Sequence, residues 1–472
     1  MRRTSWVLLL TLALCGVPNS VTAQKFSQEV GTPSRLLSPA GLGPDYSGLT
    51  GVGIGLQPST AEFGIKAGDF VIQPRLFLEG SFTTNFYRAD ARSQVSGGIT
   101  ELSDVFILQL RPGVGMYNPG FSKVAVSVGL DANVRLPLSG TDQDRDQVDV
   151  GGVAHAAVSF FPKGPFTLVL HEQFRRDLWT RPASSDSNAN RNKNELGVDM
   201  TLKPGGGAIE FTLGYRWDID RYDDASNMDI DRQRFRFLSS WRFYPLSYVF
   251  LESNFDLHSY PNADPNAAGA IGNYRSGMPV RAVAGLSGYF TERIALLLRV
   301  GYGNSLLEEQ PSAPDDFESF VGLAQLSLRF TPRTIWHVGA SHDFEMVAFG
   351  GYRTFIRGYT SLDQRLGSFG TLHLDFAFDY RNYGIWSPYP YDIPNGGSVN
   401  PQVSDPQRTD SRLRTGMLID FNIHRAFGIT LGYRFDKVIT DFNIVLNSPQ
   451  FDAQTFTGYD EHRIFSTLNL RY

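Results

Sequence analysis

From about Gly68 to the C-terminus, apolar and polar residues alternate at period two in one segment after another. Successive side chains on a β-strand point to opposite faces, so this alternation predicts a sheet with one apolar and one polar face. Val124, Val126, Val128, Leu130, Ala132 and Val134 alternate with Ala125, Ser127, Gly129, Asp131, Asn133 and Arg135. Ile209, Phe211, Leu213, Tyr215 and Trp217 alternate with Glu210, Thr212, Gly214, Arg216 and Asp218, and the same pattern runs over 372–381 and 429–436. Read through the whole chain, it predicts about eighteen strands near 70–86, 103–116, 122–136, 147–161, 165–176, 194–203, 207–219, 231–243, 247–258, 279–290, 293–304, 317–330, 333–344, 351–364, 368–383, 411–423, 426–438 and 459–472.

The connections sort by length. Short ones carry turn chemistry, as in Tyr117-Asn118-Pro119-Gly120, Pro204-Gly205-Gly206, Phe243-Tyr244-Pro245, Thr331-Pro332-Arg333 and Leu366-Gly367-Ser368. Long polar ones at 87–102, 137–146, 177–193, 220–230, 259–278, 305–316, 384–410 and 439–458 alternate with them; the stretch Glu345 to Gly350 breaks the rule by being short. Short turns on one side and long loops on the other are the pattern of a transmembrane antiparallel up-and-down β-barrel. The expected fold is therefore all-β, with short periplasmic turns, long external loops and both termini periplasmic.

The first residues read as a secretory signal. Arg2 and Arg3 precede a short apolar run from Trp6 to Leu14, and Val21-Thr22-Ala23 before Gln24 is a small-residue cleavage site. The expected organisation is a signal peptide over 1–23, a Gly-, Ser- and Pro-rich periplasmic leader or plug over 24–67, and an outer-membrane barrel over 68–472. The single cysteine, Cys15, falls in the signal, with Leu14 rather than a small residue before it, so neither a lipid anchor nor a disulfide is expected. No apolar run reaches the length of a membrane-spanning helix; the best, Ile294 to Leu298, ends at Arg299.

Composition adds two points. The chain has 35 Phe, 20 Tyr and 47 Gly, and its net charge of −5 counts against a nucleic-acid partner. Aromatic residues gather where strands would cross the membrane interfaces: Phe160, Phe161, Phe243, Tyr244, Phe290, Phe330 and Phe427 on the short-turn side, and Tyr87, Trp217, Tyr302, Tyr383 and Phe435 on the long-loop side.

The polar face is rich in arginine. Arg216, Arg232, Arg234, Arg236, Arg299, Arg381, Arg412, Arg414 and Arg434 all fall on it, with Arg232, Arg234 and Arg236 the densest run. Fewer acids are read there: Glu195, Asp199, Glu210, Asp218, Glu252, Asp375, Asp379, Asp420 and Asp436. An excess of fixed positive charge would draw anions into the lumen; the same arginines would hold the barrel's shape if paired across strands. Catalytic signals are weak. The eight histidines are scattered without metal-site spacing. Ser341 and His342 point to opposite faces, against a lipid-modifying Ser-His pair. The run Gly51-Val52-Gly53-Ile54-Gly55 opens no helix after a strand, so no nucleotide site and no cofactor is expected.

The chain closes on Ile464-Phe465-Ser466-Thr467-Leu468-Asn469-Leu470-Arg471-Tyr472. Leu468, Leu470 and the terminal Tyr472 on one face resemble the final-strand signal read by the barrel assembly machinery. At the first strand, Gly64-Ile65-Lys66-Ala67-Gly68-Asp69-Phe70, the following Pro74, and Asn85-Phe86-Tyr87 resemble the opening of the outer-membrane β-barrel porins associated with exopolysaccharide secretion loci, with Thr84 where that family carries Asp. Ser159-Phe160-Phe161-Pro162, Arg242-Phe243-Tyr244-Pro245 and Arg329-Phe330-Thr331-Pro332 resemble its strand ends. The resemblance implies a channel that exports a secreted polysaccharide with a periplasmic polysaccharide-export protein, and inward Tyr248, Tyr289 and Tyr359 as a surface along which sugars slide. The residues leave open a general or anion-preferring diffusion porin, a lipid-modifying enzyme and a structural or adhesive barrel.

Overall fold

The computed structural model describes residues 64–85, 94–95, 98–99, 104–118, 123–140, 148–178, 190–223, 229–262, 276–308, 316–347, 351–385, 402–403, 407–424, 426–440, 443–448, 451–456 and 458–471. The signal segment with its Ala23–Gln24 junction, the leader up to residue 63, Tyr87 and Tyr472 lie outside them. Eighteen strands form the wall: β1 (Phe70–Thr83), β2 (Val105–Tyr117), β3 (Val124–Pro137), β4 (Asp149–Phe160), β5 (Phe166–Asp177), β6 (Arg191–Leu202), β7 (Ile209–Tyr222), β8 (Ile230–Tyr244) and β9 (Ser247–Ser259). They continue with β10 (Val280–Thr291), β11 (Ile294–Asn304), β12 (Glu318–Thr331), β13 (Thr334–Val347), β14 (Gly351–Leu366), β15 (Gly370–Ile385), β16 (Gln407–His424), β17 (Phe427–Ile439) and β18 (Tyr459–Arg471). Each pairs antiparallel with its chain neighbours, and β18 returns to β1 from Arg75↔Arg471 to Thr83↔Arg463, so the sheet closes into a barrel. All eighteen predicted strands are present.

β18 ends five residues above the start of β1. The short strand Ile65–Ala67 folds back onto Phe70–Ile72 and covers that remaining edge. It lies just before the expected barrel boundary at 68. A second, five-stranded sheet joins pieces of three long connections: Gln94–Val95 and Gly98–Ile99 from the first, Gln402–Val403 from the seventh, and Asn443–Ser448 with Phe451–Phe456 from the last. The pairing Gln94↔Gln454 ties the first loop to the last across the closing strands.

The short turns repeat one device. Register shifts fall at Arg242/Tyr244, Tyr289/Thr291, Arg329/Thr331 and Asn422/His424, each on the last residues before a turn. In two of these turns a threonine hydroxyl accepts from the backbone N–H two residues on, Thr291 from Arg293 at 3.2 Å and Thr331 from Arg333 at 3.1 Å. The bulge and the hydroxyl together bend the chain without a free backbone group.

Polarity is inverted relative to a soluble protein. Leu130, Leu196, Leu213, Leu251, Val300, Phe320, Phe376 and Ile464 stand exposed on the outside. Glu79, Arg111, Asp131, Glu252, Arg357, Asp379 and Arg412 are buried on the inside. A wall that exposes apolar side chains outward and pairs its strands around a closed ring suits hydrocarbon surroundings. Tyr244 is 69% exposed and Phe290 62% at the short-turn end, with Trp217 and Tyr302 exposed at the other. Tyr383 does not belong to this girdle: it faces inward and is buried, because Arg353 donates to its hydroxyl at 3.0 Å and the Arg408 guanidinium lies 4.5 Å from its ring.

Glycines set the shape of the inner surface. Gly129, Gly197, Gly285, Gly339 and Gly432 each lie directly across from a ring, His155, His171, Phe250, Tyr359 and Phe465 respectively. A Cβ at any of these glycines would approach the ring to within 2.1–2.4 Å. The rings therefore lie flat over the neighbouring strand, and part of the glycine content is spent on this packing.

Candidate functional site: the ion-paired lumen

Most inward side chains meet across neighbouring strands, directly opposite or diagonal, and a few longer ones reach past a strand. Arg75 donates to Asp131 two strands away through Nε at 2.6 Å. Glu79 takes Arg111 from one side and Arg463, at 2.6 Å, from the other, with the Thr467 hydroxyl at 3.3 Å. Asp218 accepts from Arg232 at 2.8 Å and Arg234 at 3.0 Å, and Arg234 also lies 3.4 Å from Asp256. Glu252 accepts from Arg236 at 3.1 Å and lies 3.9 Å from Arg299. Arg216 shows the opposite ratio, one guanidinium 3.7 Å from both Glu195 and Asp199.

The most concentrated group surrounds Asp379 on β15, which is 0% exposed. Arg357 of β14 grips it with two bonds, at 2.5 and 3.0 Å. Arg381 on the same strand and Arg414 of β16 each add one, at 3.0 and 3.1 Å. Next to them Arg412 pairs with Asp436, through Nε at 2.7 Å, and Arg353 pairs with Glu345. Five guanidinium groups thus share three carboxylates. Arg434, on β17, is directly opposite Gly416 and Arg463.

The acids on the inner face are more numerous than the sequence reading allowed. Glu79, Asp149, Asp177, Asp220, Asp256, Asp343, Glu345 and Asp410 all pair with inward arginines. Several sit near strand ends or beside Pro and Gly, where alternation fades and the inward face cannot be read. The arginines gather most densely around Asp379, with pairs of them at Glu252 and Glu79.

The three tyrosines lie on β9, β10 and β14. Tyr248 is buried and packs on Phe250 with ring centroids 6.1 Å apart. Tyr359 lies over Gly339 and donates its hydroxyl to Gln325 at 2.7 Å. Tyr289 is half-buried on β10 beside the turn. On the last strand Leu468 and Leu470 take the outward register, opposite Leu78 and Leu76 of β1.

Sequence spacing missed a polar chain near the short-turn end. Ser327 hydrogen-bonds His337 Nδ1 at 2.8 Å, whose Nε2 lies 3.6 Å from Asp363. Asp363 binds His373 Nδ1 at 2.5 Å, and His373 Nε2 lies 3.5 Å from Asp420, which accepts from Thr430 at 2.6 Å. The chain crosses six strands, so no local motif could disclose it. Its Ser-His-Asp order is not a hydrolytic site, since the Ser327 side chain is 1% exposed and offers no face to a substrate. Ser341 faces inward and His342 outward, as their alternation requires. Among the described residues no group of three or more His, Cys, Asp and Glu could hold a metal ion.

No protein-family pattern matches the chain, and no curated protein matches it. Among solved structures, OccK2 (OpdF) of Pseudomonas aeruginosa is 9% identical, covering 85% of this chain and 98% of its own, with a TM-score of 0.45. OccAB3 of Acinetobacter baumannii is 12% identical over 85% and 99%, with a TM-score of 0.46. The siderophore receptor PirA of P. aeruginosa is 7% identical over 86% and 81%, with a TM-score of 0.43. At these values no residue and no activity carries over to this chain.

Proposed function

We propose that this barrel is an outer-membrane channel for small hydrophilic solutes, with a preference for anions. The observation that carries the reading is the Asp379 group, where Arg357, Arg381 and Arg414 share one fully buried carboxylate. Such a site concentrates guanidinium groups on the lumen wall, and fixed positive charge in a low-dielectric tube raises the local concentration of anions. The exposed apolar exterior and its aromatic rims support a membrane location, and the signal-like start supports export to the outer membrane with the short turns periplasmic. Outward Leu468 and Leu470 support recognition of the last strand by the assembly machinery.

Polysaccharide export, implied by the family resemblance, has less support. Sliding sugars are favoured by exposed ring faces, and Tyr248 is buried while Tyr359 lies flat over Gly339. The test is reconstitution of the full chain in planar bilayers under a KCl gradient. A reversal potential on the anion side, lowered by Arg381→Ser with Arg414→Ser, supports the reading. A channel that ignores that double substitution rejects the anion preference; one closed to salt but open to oligosaccharide restores export.

A further inference from the structure

The strands β12 and β13 part before either of them ends. Their pairing stops at Gly322↔His342, yet β12 runs on to Glu318 and β13 to Val347. Above that point β12 pairs with β11 and β13 pairs with β14, so two lengths of wall continue without a shared ladder. The β13 segment leans inward. Phe344, which alternation assigns to the outside, is 1% exposed and packs with Val283, Phe317 and Val321. Its ring stacks on Phe317 at 4.3 Å. Gly303 of β11 makes room for it: a Cβ there would lie 2.7 Å from the Phe344 ring.

A polar latch holds this aromatic plug in place. Arg281, from β10, reaches past two strands, donates to Asp343 at 2.9 Å and to the Phe344 carbonyl, and sets its guanidinium 4.0 Å from the Phe344 ring centre. Outside, an apolar groove of about 1030 Å³ crosses the same seam. Ala284, Gly322, Ala324 and Ala340 form its floor, and Trp241 and Ile356 stand at its sides. Its upper end is at Phe320 and His342, where His342 Nδ1 meets the Phe320 carbonyl at 2.8 Å.

We propose that this seam is a lateral gate between the membrane and the lumen, and that its ligand is a single-chain amphiphile with an anionic head. The groove is of small-molecule size and continuous with the parted strands. It is lined with apolar surface suited to a hydrocarbon tail. Behind the plug, Arg281 holds a carboxylate, Asp343, that an anionic head can replace one for one. Displacing that carboxylate releases the latch and lets Phe344 swing from the gap. The inner face here sets one ion pair, Arg281–Asp343, against an aromatic cluster, while the Asp379 group is wholly ionic, so the gate serves a different class of molecule from the central channel.

The test uses the full chain in lipid vesicles with palmitate carrying a fluorescent label, and with the matching uncharged alcohol. Wild type is expected to bind the acid more tightly than the alcohol. Ala324→Trp, which fills the groove from outside, is expected to weaken palmitate binding about tenfold. Arg281→Gln should remove the preference for the acid, and Phe344→Ala should speed transfer of the label into the lumen. Equal palmitate binding by wild type and Ala324→Trp overturns the groove as the tail site. Equal binding of acid and alcohol by wild type overturns the role of Arg281. KCl conductance measured on the same preparations reports folding and the central channel separately, so failure of the gate and failure of the channel are distinguishable.

Discussion

Asp379→Asn separates the structural and selective roles of the lumen charges. The carboxylate accepts four guanidinium hydrogen bonds at 2.5–3.1 Å and is fully buried. Removing one partner from a buried ion pair typically costs about 3–5 kcal/mol, because the remaining charges lose their compensation. Asparagine keeps one acceptor oxygen, which places the expected loss near the lower end, about 3 kcal/mol. The substitution also adds one net positive charge to the wall. It should therefore lower stability and raise anion preference together. Urea unfolding of the refolded barrel in vesicles, followed by tryptophan fluorescence, measures the first, and the reversal potential measures the second. Adding Arg414→Gln removes one of the guanidinium groups left crowded. The double variant should regain about 1–2 kcal/mol relative to Asp379→Asn, a coupling usual within one ion-pair network. A loss below about 1 kcal/mol, or strictly additive substitutions, would refute the view that this carboxylate organises three arginines.

Exchange of Arg232, Arg234 and Arg236 for Ser uncovers Asp218, Asp256 and Glu252, so the channel should shift towards cations and lose stability; unchanged permeability ratios would count against lumen control of selectivity. Gly339→Val forces the Tyr359 ring off the wall and breaks its bond to Gln325, with a cost of about 1–3 kcal/mol in unfolding and a lower single-channel conductance. Trp241 and Trp336 lie near the short-turn rim of the outer surface, so bromine labels high on the acyl chains should quench them more than labels at the bilayer centre. Deletion of 468–472 removes outward Leu468 and Leu470 and should leave the chain unassembled in a membrane-insertion assay, whereas Asn469→Ser should assemble normally.

The outer surface was legible because it asks little of each residue. Any apolar side chain at alternate positions satisfies lipid, so period two disclosed every strand of the barrel wall. The pattern failed where its cause ends. β16 begins at Gln407, earlier than the alternation from 411 suggests, because Arg408, Thr409 and Asp410 leave no apolar face to read. The loop sheet was invisible for another reason: Gln94 and Gln454 meet through closure of the whole barrel, and no local signal encodes that contact. Phe344 obeys alternation in sequence and breaks it in space, since β13 bends once its pairing with β12 stops.

The lumen asks more, because each charge needs a particular partner and register chooses it. Arginine positions could be assigned to the inner face one strand at a time. Their net effect could not, because pairing is decided across strands. Arg357 lies directly opposite Asp379, and Arg412 lies opposite it on the other side. Arg412 nevertheless turns to Asp436, which its neighbour strand supplies diagonally, and Arg414 takes the place at Asp379. A one-residue slip of β16 would send both guanidinium groups to the lipid face and leave Asp379 with two partners. The guanidinium cluster at Asp379 is thus a property of three registers held together. For that reason substitutions at Asp379 should couple to β14–β16 pairing more strongly than those at the isolated Arg75–Asp131 pair.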